Sequence, residues 1–135
     1  MVGHVDDVKI LTALLNAEPG LKLAFLYGSR ADGRAASTSD FDVAVAFDGP
    51  LDPDARVDLA ERLGAALHRE VDLVDLHTAR GLIAQEAIGR GSLLLKKDPL
   101  LLARLVKRMW FDKADYGPIR DRALESRRRR VFKHG

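Results

Sequence analysis

A glycine–serine pair, Gly28-Ser29, is followed after ten residues by Asp40-Phe41-Asp42. A Gly-Ser turn offers backbone N–H groups and a hydroxyl to phosphate oxygens. Two aspartates one residue apart on a strand project from the same face and can share divalent metal. Their carboxylates can converge to about 5 Å, where repulsion at an effective dielectric of about 20 is on the order of 3 kcal/mol, so the pair calls for a cation. Together the two halves describe a site for a metal nucleoside triphosphate. Arg30 and Arg34, just beyond the turn, are placed to contact a leaving pyrophosphate. The segment has no Gly-x-x-x-x-Gly-Lys-Ser/Thr run, so hydrolysis of a γ-phosphate is not the expected chemistry.

These residues need rigid elements to hold them. Residues 21–27, Leu-Lys-Leu-Ala-Phe-Leu-Tyr, form a strand-like apolar run that ends at the glycine. Downstream, Phe41, Val43, Val45 and Phe47 alternate with Asp40, Asp42, Ala44 and Ala46, which gives one bulky apolar face and one small acidic face. A third strand over Glu70–Leu76 carries two more acids, Asp72 and Asp75. They differ by three positions, so they face opposite sides of a regular strand and only one can join Asp40 and Asp42. Asp75 reads as a strand-end residue bonding the turn before Thr78, with Thr78 capping a helix that begins near Ala79 or Arg80. Asp72, flanked by Val71, Leu73 and Val74, must be paired, metal-bound or at a sheet edge.

Helical spacing runs from Val5 to Asn16 and stops at Glu18-Pro19-Gly20. A second helix follows Pro53, with Val57, Leu59, Ala60, Leu63, Ala66 and Leu67 as its buried stripe. A third is expected from about Arg80 to Gly89, then a strand over Gly91–Lys96, then a helix opened by Pro99. This order predicts an α/β (α+β) fold, a mixed sheet with helices packed on one face and the other face open for substrate. Trp110, Phe111 and Tyr116 form an aromatic cluster that could anchor either the core or an interface, with core packing the expectation.

At 135 residues with 47% apolar content, the chain can bury one sizeable core and no second. It has no cysteine, which excludes disulfides and thiolate zinc sites and fits a reducing, cytoplasmic setting. No apolar run is long enough to span a bilayer and the first residues do not resemble a secretory signal, so no membrane partner is expected. His4, His68, His77 and His134 lack ligand spacing. Residues 113–135 hold eight Lys or Arg against three acids, a charge of +5, which leaves 14 bases against 17 acids, −3, in residues 1–112. The run Arg127–Arg130 reads as a solvated tail; direct nucleic-acid binding is not expected, although the tail leaves it open. Gly117-Pro118 divides an expected domain, residues 1–116, from this basic helix or tail, residues 117–135, which is too short to be a second domain.

The block Gly28-Ser29 through Asp40-x-Asp42 resembles the signature of the minimal nucleotidyltransferases, small members of the DNA polymerase β superfamily, and in particular those paired with HEPN-domain toxins. The resemblance covers about residues 5–112. It implies a nucleotidyltransferase-like fold, two Mg²⁺ ions held by Asp40, Asp42 and a third carboxylate, and ATP as substrate, with Gly28, Ser29 and Arg30 on the triphosphate. The Val-Asp-Leu-Val context of Asp72 is similar to the family's third-acid strand, which favours Asp72 over Asp75. It further implies an antitoxin that transfers AMP from ATP to a tyrosine of a cognate HEPN ribonuclease toxin, its partner, and so silences it. Two alternatives share the residues: a nucleotidyltransferase acting on a small-molecule hydroxyl, and an idle antitoxin that neutralises by binding alone.

Overall fold

The computed structural model describes residues 3–28 and 41–112. Four strands form one sheet in the order β3-β2-β1-β4, where β1 is Leu23–Tyr27, β2 Phe41–Ala46, β3 Val71–Asp75 and β4 Ser92–Lys96. β1 runs antiparallel to both β2 and β4, while β2 and β3 are parallel. The parallel pair requires a crossover, and α2 (Pro53–Leu67) supplies it. The sheet is therefore mixed, as the order of elements predicts.

Strand alternation sorts the core into two layers. On the first face, Ala24, Leu26, Phe41, Val43, Val45 and Leu73 pack against Leu11 and Leu15 of α1 (Gly3–Ala17) and Leu59, Leu63 and Leu67 of α2. The α2 stripe has i, i+4, i+8 spacing, which keeps those leucines on one side of a 3.6-residue helix. Asp52 caps α2 by accepting from the Asp54 amide at 3.1 Å, Pro53 occupies its first turn, and His68 ends it in a left-handed conformation with φ 54°. Val57 and Ala66, expected in the buried stripe, are exposed. At 100° per residue Val57 lies about 160° from Leu59, off the arc of the three leucines, while Ala66 lies at the edge of that arc, about 20° from Leu59.

On the second face, Leu23, Phe25, Ala44 and Ala46 meet Ala87, Leu101 and Leu105. The alanines of β2 leave room for helices to approach closely. Ala87 belongs to a helical segment that starts as α3 (Leu82–Ala84) and continues as a π-helix, Gln85–Arg90. Leu101 and Leu105 belong to α4, residues 99–112. Helices therefore pack on both faces and not on one alone as expected: the second face carries them over the N-terminal half of β1 and the C-terminal half of β2, while at the opposite end, among the described residues, Asp42 is half-buried and Asp72 exposed.

Thr78 does not cap a helix. Its hydroxyl donates to the Asp75 carbonyl at 3.2 Å, and α3 begins only at Leu82, because the intervening loop is held from outside by α4. The Arg108 guanidinium donates to the carbonyls of Leu76 (2.6 Å), His77 (2.9 Å) and Ala79 (3.0 Å), and Arg80 pairs with Asp112. Burial among these groups lowers the Arg108 pKa from its ordinary value, with the neighbouring Arg80 charge acting in the same direction. Trp110 and Phe111, expected in the core, are each 58% exposed, since Leu101, Leu105, Arg108 and Asp112 occupy the inward side of α4. Tyr116, Gly117-Pro118 and the basic tail lie outside the described residues.

Candidate active site

The antiparallel register pairs Tyr27 with Asp42, and the parallel register pairs Asp42 with Asp72. Neighbouring strands lie about 4.8 Å apart, so the three residues form one row across β1, β2 and β3 on the same face. That face is the one carrying Ala44 and Ala46. The row sits at the end of β1 and the start of β2 and β3, where among the described residues Asp42 is half-buried and Asp72 exposed.

Gly28 closes the row. Its φ of +79° lies in the left-handed region, and a Cβ built there would overlap the Asp42 carboxylate. Glycine at this position therefore serves two ends: it lets the chain turn out of β1, and it leaves space for a carboxylate directly behind the turn. A ligand phosphate on the turn and a cation on Asp42 would be neighbours.

Asp75 takes no part in this row. It is 4% exposed and faces the other layer, where its carboxylate accepts from the Leu51 amide at 2.8 Å and the His77 amide at 3.0 Å. Both acceptor oxygens are committed to loop amides, which is a fold-holding task. Asp75→Ala would strand two amides in a buried setting. The expected result is a loss of about 2–4 kcal/mol in stability by urea unfolding, with nucleotide binding at the acid row retained; unchanged stability would refute the assignment.

Tyr27 was not among the residues singled out from the sequence, although its place immediately before Gly28, in step with the acidic face, is a signal that alternation alone could have supplied. Burial, and then the charges of Asp42 and Asp72, push its phenol up to about 12 from an ordinary value of 10.0. The folded state thus holds the Tyr27 proton more tightly than the unfolded chain. The corresponding stabilisation is complete below pH 10 and is lost as pH rises through about 12. Stability measured between these values should fall less steeply in Tyr27→Phe than in the parent, and parallel profiles would contradict this reading.

Ser29, Arg30, Arg34 and Asp40 lie outside the described residues. Among the described residues no group of three or more His, Asp or Glu is gathered to hold a metal ion. The described part of the expected ligand set is the Asp42–Asp72 pair, and its donors are hard carboxylate oxygens of the kind that suit Mg²⁺ rather than a softer metal.

Residues 9–100 match the family model described as polymerase beta, nucleotidyltransferase. Over 91 residues the chain is 38% identical to the protein adenylyltransferase MntA of Shewanella oneidensis, covering 67% of this chain and 66% of that protein, so it spans just under two thirds of the relative's length. Among solved structures, the chain resembles one in a crystal structure of a toxin–antitoxin with AMP-PNP, at a TM-score of 0.71 and 32% identity over 88% of this chain and 98% of the other. It also resembles one in a re-refined structure of the tri-AMPylated Shewanella oneidensis HEPN toxin in complex with its MNT antitoxin, at a TM-score of 0.64 and 30% identity over 90% and 98%.

Proposed function

The chain belongs to the polymerase beta nucleotidyltransferase family, and from that premise we propose that it is an antitoxin-type protein adenylyltransferase. It transfers AMP from ATP to a tyrosine of a HEPN ribonuclease toxin and thereby neutralises it. The observation that carries this reading is the cross-strand row of Asp42 and Asp72 beside the Gly28 turn. The likeness to chains from structures with AMP-PNP and with an AMPylated HEPN toxin supports both the donor and the acceptor.

In the reaction a hydroxyl oxygen attacks the α-phosphorus, the bond to the bridging oxygen breaks, and pyrophosphate leaves. Asp40, Asp42 and Asp72 hold the metal, and Gly28, Ser29 and Arg30 hold the triphosphate. Two Mg²⁺ ions, when bound, lower the pKa of the attacking hydroxyl and offset charge on the leaving group. In this proposal Asp72, exposed where Asp42 is half-buried, accepts the proton of the incoming hydroxyl. Tyr27 stays protonated at working pH and presents a neutral donor at the β1 end of the row. Residues 1–116 form the catalytic domain, with 117–135 as a basic extension. Among the described residues no helix is long and apolar enough to cross a membrane, and a cytoplasmic location belongs to this proposal.

The test is incubation with Mg²⁺, ATP labelled at the α-phosphate, and a candidate HEPN-domain toxin. Label on a partner tyrosine with release of pyrophosphate is expected. Neutralisation of the partner without label would replace transfer by binding alone.

A further inference from the structure

We propose that the outer face of α4 is the docking surface for the protein that carries the acceptor hydroxyl, and that this partner meets it with a helix that carries acidic residues between apolar ones. The proposal rests on the transfer reading above, for which it names the partner-binding surface.

The face is apolar at its two ends and basic between them. Leu100 is 75% exposed and Trp110 and Phe111 each 58%. With exposed Ala103, Arg104 and Lys107 they recur at helical spacing along about 16 Å of helix. α4 is consequently apolar on both its inward and outward sides, which is the pattern of a helix packed between two layers. Two aromatic rings on a rigid helix are the side chains most often found at the energetic centre of an interface.

The orientation of this face is not arbitrary. Arg108, with three carbonyl acceptors, and Asp112, paired with Arg80, lock the inward side of α4 to the loop after β3. The outward side is set by the same locks. Its charged members, Arg104 and Lys107, are both basic, and Lys107 sits 5.8 Å from the Phe111 ring centroid. Of the two acids nearest in sequence, Asp112 is engaged by Arg80 and Asp98 accepts from the Leu101 amide at the start of α4. A partner helix with acids between apolar residues complements this face in both polarity and charge.

Position links the surface to the chemistry. α4 packs over Ala44 and Ala46, on the same side of the sheet as Asp42. Four residues of strand separate Ala46 from Asp42, about 13 Å. A helix seated on α4 would hold the rest of its protein over the acid row, so that docking orients the acceptor before transfer.

The experiment measures binding of the co-expressed HEPN partner by calorimetry without ATP, so that it does not depend on catalysis. Leu100→Asp and Phe111→Ala are each expected to raise the partner Kd tenfold or more. The pair Arg104→Glu and Lys107→Glu should raise it similarly and flatten its salt dependence, with thermal melting of all variants like the parent. Partner affinity within twofold of the parent, absence of binding by the parent itself, or variants that instead disrupt self-association of this chain, would each overturn the proposal. A parent that binds through this face yet transfers no AMP would strike the transfer reading and leave the surface standing.

Discussion

Asp42→Asn is expected to reduce AMP transfer by about 10³-fold or more, equivalent to roughly 4 kcal/mol of lost transition-state stabilisation, while the protein remains folded. Asp42 is the middle member of the row, paired with Tyr27 on one side and Asp72 on the other, and it backs onto the Gly28 turn. Asparagine keeps the shape and removes the charge, so the change isolates the electrostatic role. A cation held by three carboxylates loses a third of its ligand charge, and at the centre of the set no neighbour can stand in for it. The measurement is transfer of α-labelled phosphate at saturating Mg²⁺ alongside a thermal melt. Asp75→Ala should behave oppositely, with stability lost and nucleotide binding kept, because its oxygens are spent on the Leu51 and His77 amides. Transfer by Asp42→Asn within tenfold of the parent would remove the metal clamp from the account.

Gly28→Ala should damage the site from the other side, lowering transfer by about 10²-fold and stability by about 1–2 kcal/mol. The stability term comes from a Cβ at φ +79°, where L side chains are strained, together with its overlap with the Asp42 carboxylate. The activity term comes from the overlap of that Cβ with the Asp42 carboxylate, which must swing out of the row. A double-mutant cycle separates the two. In an Asp42→Ala background the overlap disappears and only the backbone strain remains, so Gly28→Ala should cost less stability there than in the parent. Equal costs in both backgrounds would mean that the Gly28–Asp42 contact carries no energy.

Much of this arrangement was legible before any coordinates, and the reason is strand parity. Phe41, Val43 and Val45 do face one layer and Ala44 and Ala46 the other, since alternation at period two survives any detail of packing. The same rule separated Asp72 from Asp75. What misled was the helical surface. Trp110 and Phe111 were expected inside on the strength of their size, but a helix buries an arc and not a composition, and Arg108 and Asp112 claim the inward arc of α4 through their fixed partners. Thr78 failed as a cap for a related reason, because a contact with a helix some thirty residues away holds its loop.

Residue types and local spacing by themselves determined the chemistry on offer: carboxylates in step along a strand, a glycine where the chain must turn, and the two faces of the sheet. Only the tertiary structure decided which acids meet, since the pairing of Asp42 with Asp72 depends on a parallel register set by the α2 crossover. It also decided that Tyr27 completes the row, and that α4 covers the end of that face at Ala44 and Ala46. Alternation is a property of the chain and can be counted along it. Register and coverage are properties of neighbours brought together by burial, so they come into being only when the layers pack.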